Sequence, residues 1–119
     1  MRVMASCIFC KILSREIPSI IIYEDDVIFA FDDIHPLAPV HVLVIPKEHI
    51  PSIADTDEKH TPLMGKMIMV AKQIAEEKGI ATSGYKLLIR VKKDGGQEVD
   101  HIHLHLIGGA PLIETIRPD

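Results

Sequence analysis

Asp94-Gly95-Gly96-Gln97-Glu98-Val99-Asp100-His101-Ile102-His103-Leu104-His105-Leu106-Ile107 alternates three imidazoles with apolar residues directly after a Gly-Gly pair. On an extended strand, residues i, i+2 and i+4 share a face. This predicts a row of His101, His103 and His105, with Ile102, Leu104 and Leu106 on the opposite side. At a strand rise of about 3.3 Å per residue the outer imidazoles start about 13 Å apart, so a single zinc with bonds of about 2 Å suits the whole row poorly. A dispersed anion such as phosphate suits it better, one ring attacking while its neighbours donate hydrogen bonds. Gly95 and Gly96 would let backbone N–H groups converge on that anion, although Asp94-Gly95 also reads as a plain hairpin turn. Phosphoryl or nucleotidyl chemistry is the sharper reading, and three histidines on a solvated strand face is the bland one.

Upstream of this stretch the chain reads as alternating short elements. Cys7 to Leu13 has a helical look, and Pro18 restarts the backbone in extended form. Ile20 to Glu24 and Val27 to Asp32, separated by Asp25-Asp26, have the grammar of a hairpin. Val40 to Ile45 is a strand with Val40, Val42 and Val44 on one side, His41, Leu43 and Ile45 on the other, and Pro46 as its stop. Thr61-Pro62 reads as an N-cap with proline at the first helical position. Met64, Met67, Ile68, Ala71, Ile74 and Ala75 then form an apolar stripe that ends at Gly79. Tyr85 to Val91 is a fourth strand and the histidine segment a fifth. Five strands and two helices predict an α+β fold with a mostly antiparallel sheet.

The chain has 119 residues, of which 47% are hydrophobic and 25% charged, a balance that fits one domain over residues 1–119 with residues 1–5 as a loose tail. A net charge of -4 argues against a nucleic-acid backbone as partner but leaves room for a nucleotide monomer at a local site. No apolar run approaches the roughly 18 residues of a membrane span, and no signal-like leader is visible, so a cytoplasmic location is expected. In that compartment Cys7 and Cys10, spaced Cys-x-x-Cys, suit a redox pair, half of a zinc site or reduced packing residues better than a structural disulfide.

The segment 94–107 followed by Gly108-Gly109 resembles the histidine-triad (HIT) nucleotide-binding family, its Hint-like branch in particular. The likeness extends through Cys7-Ile8-Phe9-Cys10-Lys11-Ile12, Glu16-Ile17-Pro18, Tyr23-Glu24-Asp25-Asp26, Phe31-Asp32-Asp33-Ile34-His35-Pro36 and 39–49. The resemblance implies His103 as the nucleophile on the α-phosphorus of a nucleotide, with His101 and His105 bonding phosphoryl oxygens and His41 orienting the triad. It implies a base pocket from Ile8, Phe9, Ile12, Phe31, Ile34 and Leu43, and a ribose contact from Asp33. Gly96, Gln97 and Glu98 fall at nucleotide-binding positions. It also implies a structural zinc held by Cys7, Cys10, His49 and His101, the last keeping its other ring nitrogen toward the triad. A two-fold homodimer with a continuous sheet, formed through the 64–75 stripe and the 85–91 strand, follows from the same likeness.

The chain departs from that family at three places. Arg90 stands where many relatives carry Asn, Lys92 where glycine is common, and Glu98 where animal relatives have serine. Arg90 is read as a further phosphate contact, with a plain surface position as the other reading. The implied activity is hydrolysis of purine nucleoside phosphoramidates or related nucleotidyl substrates through a nucleotidyl-histidine. A dinucleoside polyphosphate hydrolase, a nucleotidyl transferase and a nonenzymatic nucleotide-binding scaffold are the other readings.

Overall fold

The computed structural model describes residues 6–118, so the tail expected at residues 1–5 lies outside the described residues. Its elements run α1 (Ile8–Leu13), β1 (Ile21–Glu24), β2 (Ile28–Asp32), β3 (Val40–Pro46), two 3₁₀ turns (Ile53–Asp55 and Glu58–His60), α2 (Thr61–Glu77), β4 (Tyr85–Ile89) and β5 (Leu104–Gly108). The strands form one sheet in the order β1-β2-β3-β5-β4, every neighbouring pair antiparallel. The α+β architecture expected from the strand and helix patterns is the one observed.

Strict alternation along the strands divides the core into two layers. Val42 and Val44 of β3, Ile28 and Ala30 of β2, and Leu104 and Leu106 of β5 pack on one face against Met67, Val70, Ala71, Ile74 and Ala75 of α2. Burial of each large aliphatic side chain there contributes about 1.5–3 kcal/mol before entropy is charged. Phe29, Phe31, Leu43 and Ile45 point the other way, onto Phe9, Cys10 and Ile12 of α1. The helix stripe is therefore core at Met67, whereas Ile68 is 48% exposed.

Element ends differ from the sequence reading for local reasons. α2 starts at Thr61, one residue early, because a 3₁₀ turn feeds directly into it. In that turn the Asp57 N–H donates to His60 Nδ1 and the Asp57 carboxylate accepts from the Lys59 N–H. α2 ends at Glu77, and the stop expected at Gly79 lies just beyond its cap, where that glycine takes φ 76°.

β4 stops at Ile89, short of Val91, because the chain turns through Lys92 at φ 57°. This left-handed position explains why glycine is common there. In the same turn a Cβ on Gly95 would lie 2.5 Å from the Val91 carbonyl oxygen, so the tight return of the chain depends on glycine.

Candidate active site

The histidine segment is extended only from Leu104. Before it, the His101 N–H donates to the Val99 carbonyl at 2.9 Å and the Ile102 N–H reaches across to the Ile50 carbonyl at 2.8 Å. These bonds bend the chain and break the row expected of His101, His103 and His105. His103 and His105 stay neighbours, with ring centroids 5.0 Å apart. The fully buried His101 ring turns away. Its Nδ1 lies 3.5 Å from Cys7 Sγ, and its Nε2 lies 2.8 Å from the Pro46 carbonyl oxygen, to which it donates. Neither nitrogen is left to face the other two imidazoles or a phosphoryl oxygen, which corrects both roles given to this ring at the triad. The part of His101 that meets the His103 ring is its backbone carbonyl.

That carbonyl accepts from His103 Nδ1 at 2.8 Å. The bond leaves the lone pair of a neutral His103 on Nε2, the nitrogen turned away from the carbonyl. Phe9 closes one side of the ring edge to face, with centroids 5.1 Å apart. Burial is the main cause that lowers the His103 pKa, against the opposing bond to the His101 carbonyl. The ring is therefore neutral near pH 7, as a nitrogen nucleophile must be.

β3 and β5 bring the next pair together, since Leu43 lies opposite His105 and His41 opposite Ile107 on the α1 side of the sheet. The Leu37 N–H donates to His41 Nδ1 at 3.1 Å, which fixes the His41 proton on Nε2. That proton is donated to His105 Nδ1 at 2.9 Å, with Asp33 Oδ2 3.5 Å away. Burial lowers the pKa of both rings, and that of His105 reaches about 4 with added repulsion from His103, His41 and Arg90.

His103, His105 and Asp33 open into a cleft of about 400 Å³, which His41 supports from behind without lining it. α1 supplies Ile8, Phe9 and Ile12 to its wall, the sheet supplies Phe31 and Leu43, and the following loop supplies Asp33 and Ile34. Arg90, Gly96, Glu98, His103 and His105 line the remainder. Gln97 does not line it. Its amide donates to the Pro51 and Val99 carbonyls and accepts from the Lys92 N–H, which makes it the clamp of the glycine turn. Ile17, Pro18 and Val99 also line the cleft. An apolar residue just beyond a helix or a glycine turn carries no periodic signal, so the pattern of the chain marks none of the three as a site.

Behind α1 lies a second cluster, at the place the resemblance implied. Cys7 Sγ, Cys10 Sγ and one nitrogen each of His49 and His101 all lie within 4.8 Å of one another, and all four residues are buried. Cys10 Sγ is 3.4 Å from His49 Nδ1 and 3.7 Å from His101 Nδ1. A tetrahedral ion with Zn–S near 2.3 Å and Zn–N near 2.0–2.1 Å separates sulfur from nitrogen by about 3.5 Å, so the donor set fits such an ion. No disulfide joins the two cysteines.

The family model described as "HIT domain" matches residues 14–112. Purine nucleoside phosphoramidase of Escherichia coli (strain K12) is 53% identical over 105 residues, which cover 88% of this chain and 88% of that protein. Among solved structures, a histidine triad protein from Clostridium difficile superposes with a TM-score of 0.92 at 41% identity, covering 98% of this chain and 100% of that one. A HIT family hydrolase from Legionella pneumophila Philadelphia 1 gives 0.88 at 45% identity, covering 91% and 96%. With its His103–His105–His41 arrangement inside the matched residues, this chain belongs to the HIT domain family.

Proposed function

We propose that this protein hydrolyses purine nucleoside phosphoramidates or closely related nucleotidyl substrates in two steps. His103 Nε2 attacks the α-phosphorus, the P–N bond breaks, and the amine departs with a proton drawn from solvent. Water then attacks the phosphorus, the P–Nε2 bond breaks, and nucleoside monophosphate leaves. Two smaller barriers replace one large one. The observation that carries this reading is the bond from His103 Nδ1 to the His101 carbonyl, which leaves a neutral ring with its lone pair on Nε2 in an apolar cleft. The identity with a protein named purine nucleoside phosphoramidase supports the substrate class.

In this reading the base lies against Ile8, Phe9, Ile12, Phe31, Ile34 and Leu43, and Asp33 accepts from the ribose hydroxyls. Zinc held by Cys7, Cys10, His49 and His101 would supply a structural crosslink between α1 and the loop before β5. It takes no part in the chemistry. The protein works as a homodimer in the cytoplasm, a compartment whose reducing poise suits two buried thiols. None of the described helices is long and apolar enough to cross a bilayer.

His103→Ala tests the mechanism. Release of monophosphate from adenosine and guanosine phosphoramidates should be abolished, while monophosphate affinity stays within about tenfold, because the nucleophile acts mainly in the transition state. Near-normal turnover in that variant overturns the covalent mechanism.

A further inference from the structure

The proton order along the imidazole pair has a consequence at its far end. A backbone N–H cannot accept, so the Leu37 N–H fixes His41 Nδ1 as acceptor and His41 Nε2 as donor to His105 Nδ1. Neutral His105 must then carry its own proton on Nε2. That nitrogen lies 3.3 Å from Arg90 Nη1, and a guanidinium only donates. Two N–H groups, one of them cationic, meet where neither can accept from the other. An acceptor set between them satisfies both, and an oxyanion does so with charge assistance.

The position of Arg90 supports the same conclusion. Leu88 lies opposite His105 in the β4–β5 ladder, and Arg90, just past the end of β4, lines the same cleft as His103 and His105. Its stem runs along the glycine turn, where a Cβ on Gly96 would sit 3.4 Å from Arg90 Cδ. Among the described residues lining the cleft, Arg90 is the one Lys or Arg, set against the carboxylates of Asp32, Asp33 and Glu98. This guanidinium offsets part of the negative charge that a phosphate meets there.

We propose that Arg90 is a phosphoryl-binding residue, forming with His105 Nε2 a two-donor notch for a non-bridging oxygen of the α-phosphate. The assignment rests on the nucleotide reading above and deepens it. The cleft recognises a nucleotide by its charged phosphorus, and the base pocket alone supplies a smaller share of the affinity.

Calorimetric titration of adenosine, guanosine and their 5′-monophosphates into wild type, Arg90→Met and Arg90→Lys tests this. Loss of a charge-assisted contact should weaken monophosphate binding by about 10- to 100-fold in Arg90→Met. Nucleoside affinity should be unchanged, and Arg90→Lys should recover part of the loss. Equal monophosphate affinity in wild type and Arg90→Met overturns the Arg90 assignment and leaves the nucleotide reading standing. Wild type that binds neither monophosphate overturns the nucleotide reading itself. If Arg90→Met loses its fold, the comparison passes to Arg90→Lys and Arg90→Gln, where Gln binding monophosphate as well as Lys does counts against a charged notch.

Discussion

His105 is 8% exposed, and burial, followed by repulsion from His103, His41 and Arg90, holds its pKa at about 4. His41 is lowered in the same direction, again mainly by burial. In the unfolded chain these rings titrate near 6.5. Between about pH 6.5 and about pH 4 the unfolded state therefore binds protons that the folded state refuses. Their stabilising contribution is complete above pH 6.5 and is lost as the pH falls through that window. Thermal midpoints should decline from pH 7 to pH 4, and His105→Asn should flatten the curve relative to wild type. Parallel curves for the two proteins would show that His105 is not held neutral in the fold.

α1 has six residues, too few to hold a helix by itself. What holds it is two-sided attachment. Cys7 Sγ accepts from the Cys10 N–H at 3.4 Å and lies against His101, while Phe9 packs on both His101 and His103. The Cys/His cluster and the wall of the cleft are thus two faces of one short element. Purified without chelators, the protein should carry about one zinc per chain, and Cys7→Ser should lose it together with stability, because metal binding to a folded site is folding free energy. Monophosphate affinity should fall with it as the Phe9 wall loosens. Elemental analysis that finds no zinc in the wild type would leave the cysteines as packing residues.

For the whole molecule, an open edge sets the argument. β4 is the last strand of the sheet and Leu87 on it is 36% exposed, while Ile68 and Met69 of α2 are 48% and 60% exposed. A groove of about 1280 Å³ runs beside β4 to the 112–118 segment, which carries the exposed Ile113 and Ile116. An unpaired edge next to apolar surface is a pairing site for a second copy, and isologous symmetry is the commonest way to use it. Ile68→Glu with Met69→Glu should give a folded monomer by light scattering. Met67→Glu, at a position 1% exposed, should instead unfold the core. Wild type that scatters as a monomer at micromolar concentration contradicts the dimer.

Patterns that depend on near neighbours are legible in the amino-acid sequence. The alternation in 40–45, the α2 stripe with its stop at Gly79, and the stop at Pro46 are set by periods of 2 and 3.6 and by backbone freedom, which are properties of adjacent residues. The family is legible as well, because the histidine segment with its Gly-Gly pair resembles that of the HIT family, whose model matches residues 14–112. The direction of each ring is not. His101 turns toward Cys7, 94 residues away, since the Ile50 carbonyl bends the chain at Ile102 and the Pro46 carbonyl takes Nε2. Gln97 becomes a clamp because carbonyls at Pro51 and Val99 meet its amide, and Arg90 meets His105 only through the β4–β5 register. Sequence by itself determined which elements form and which polar residues stand as candidates for the chemistry. Tertiary structure decided where His101 and Gln97 point, because their donors take carbonyls that the folded backbone brings from far along the chain.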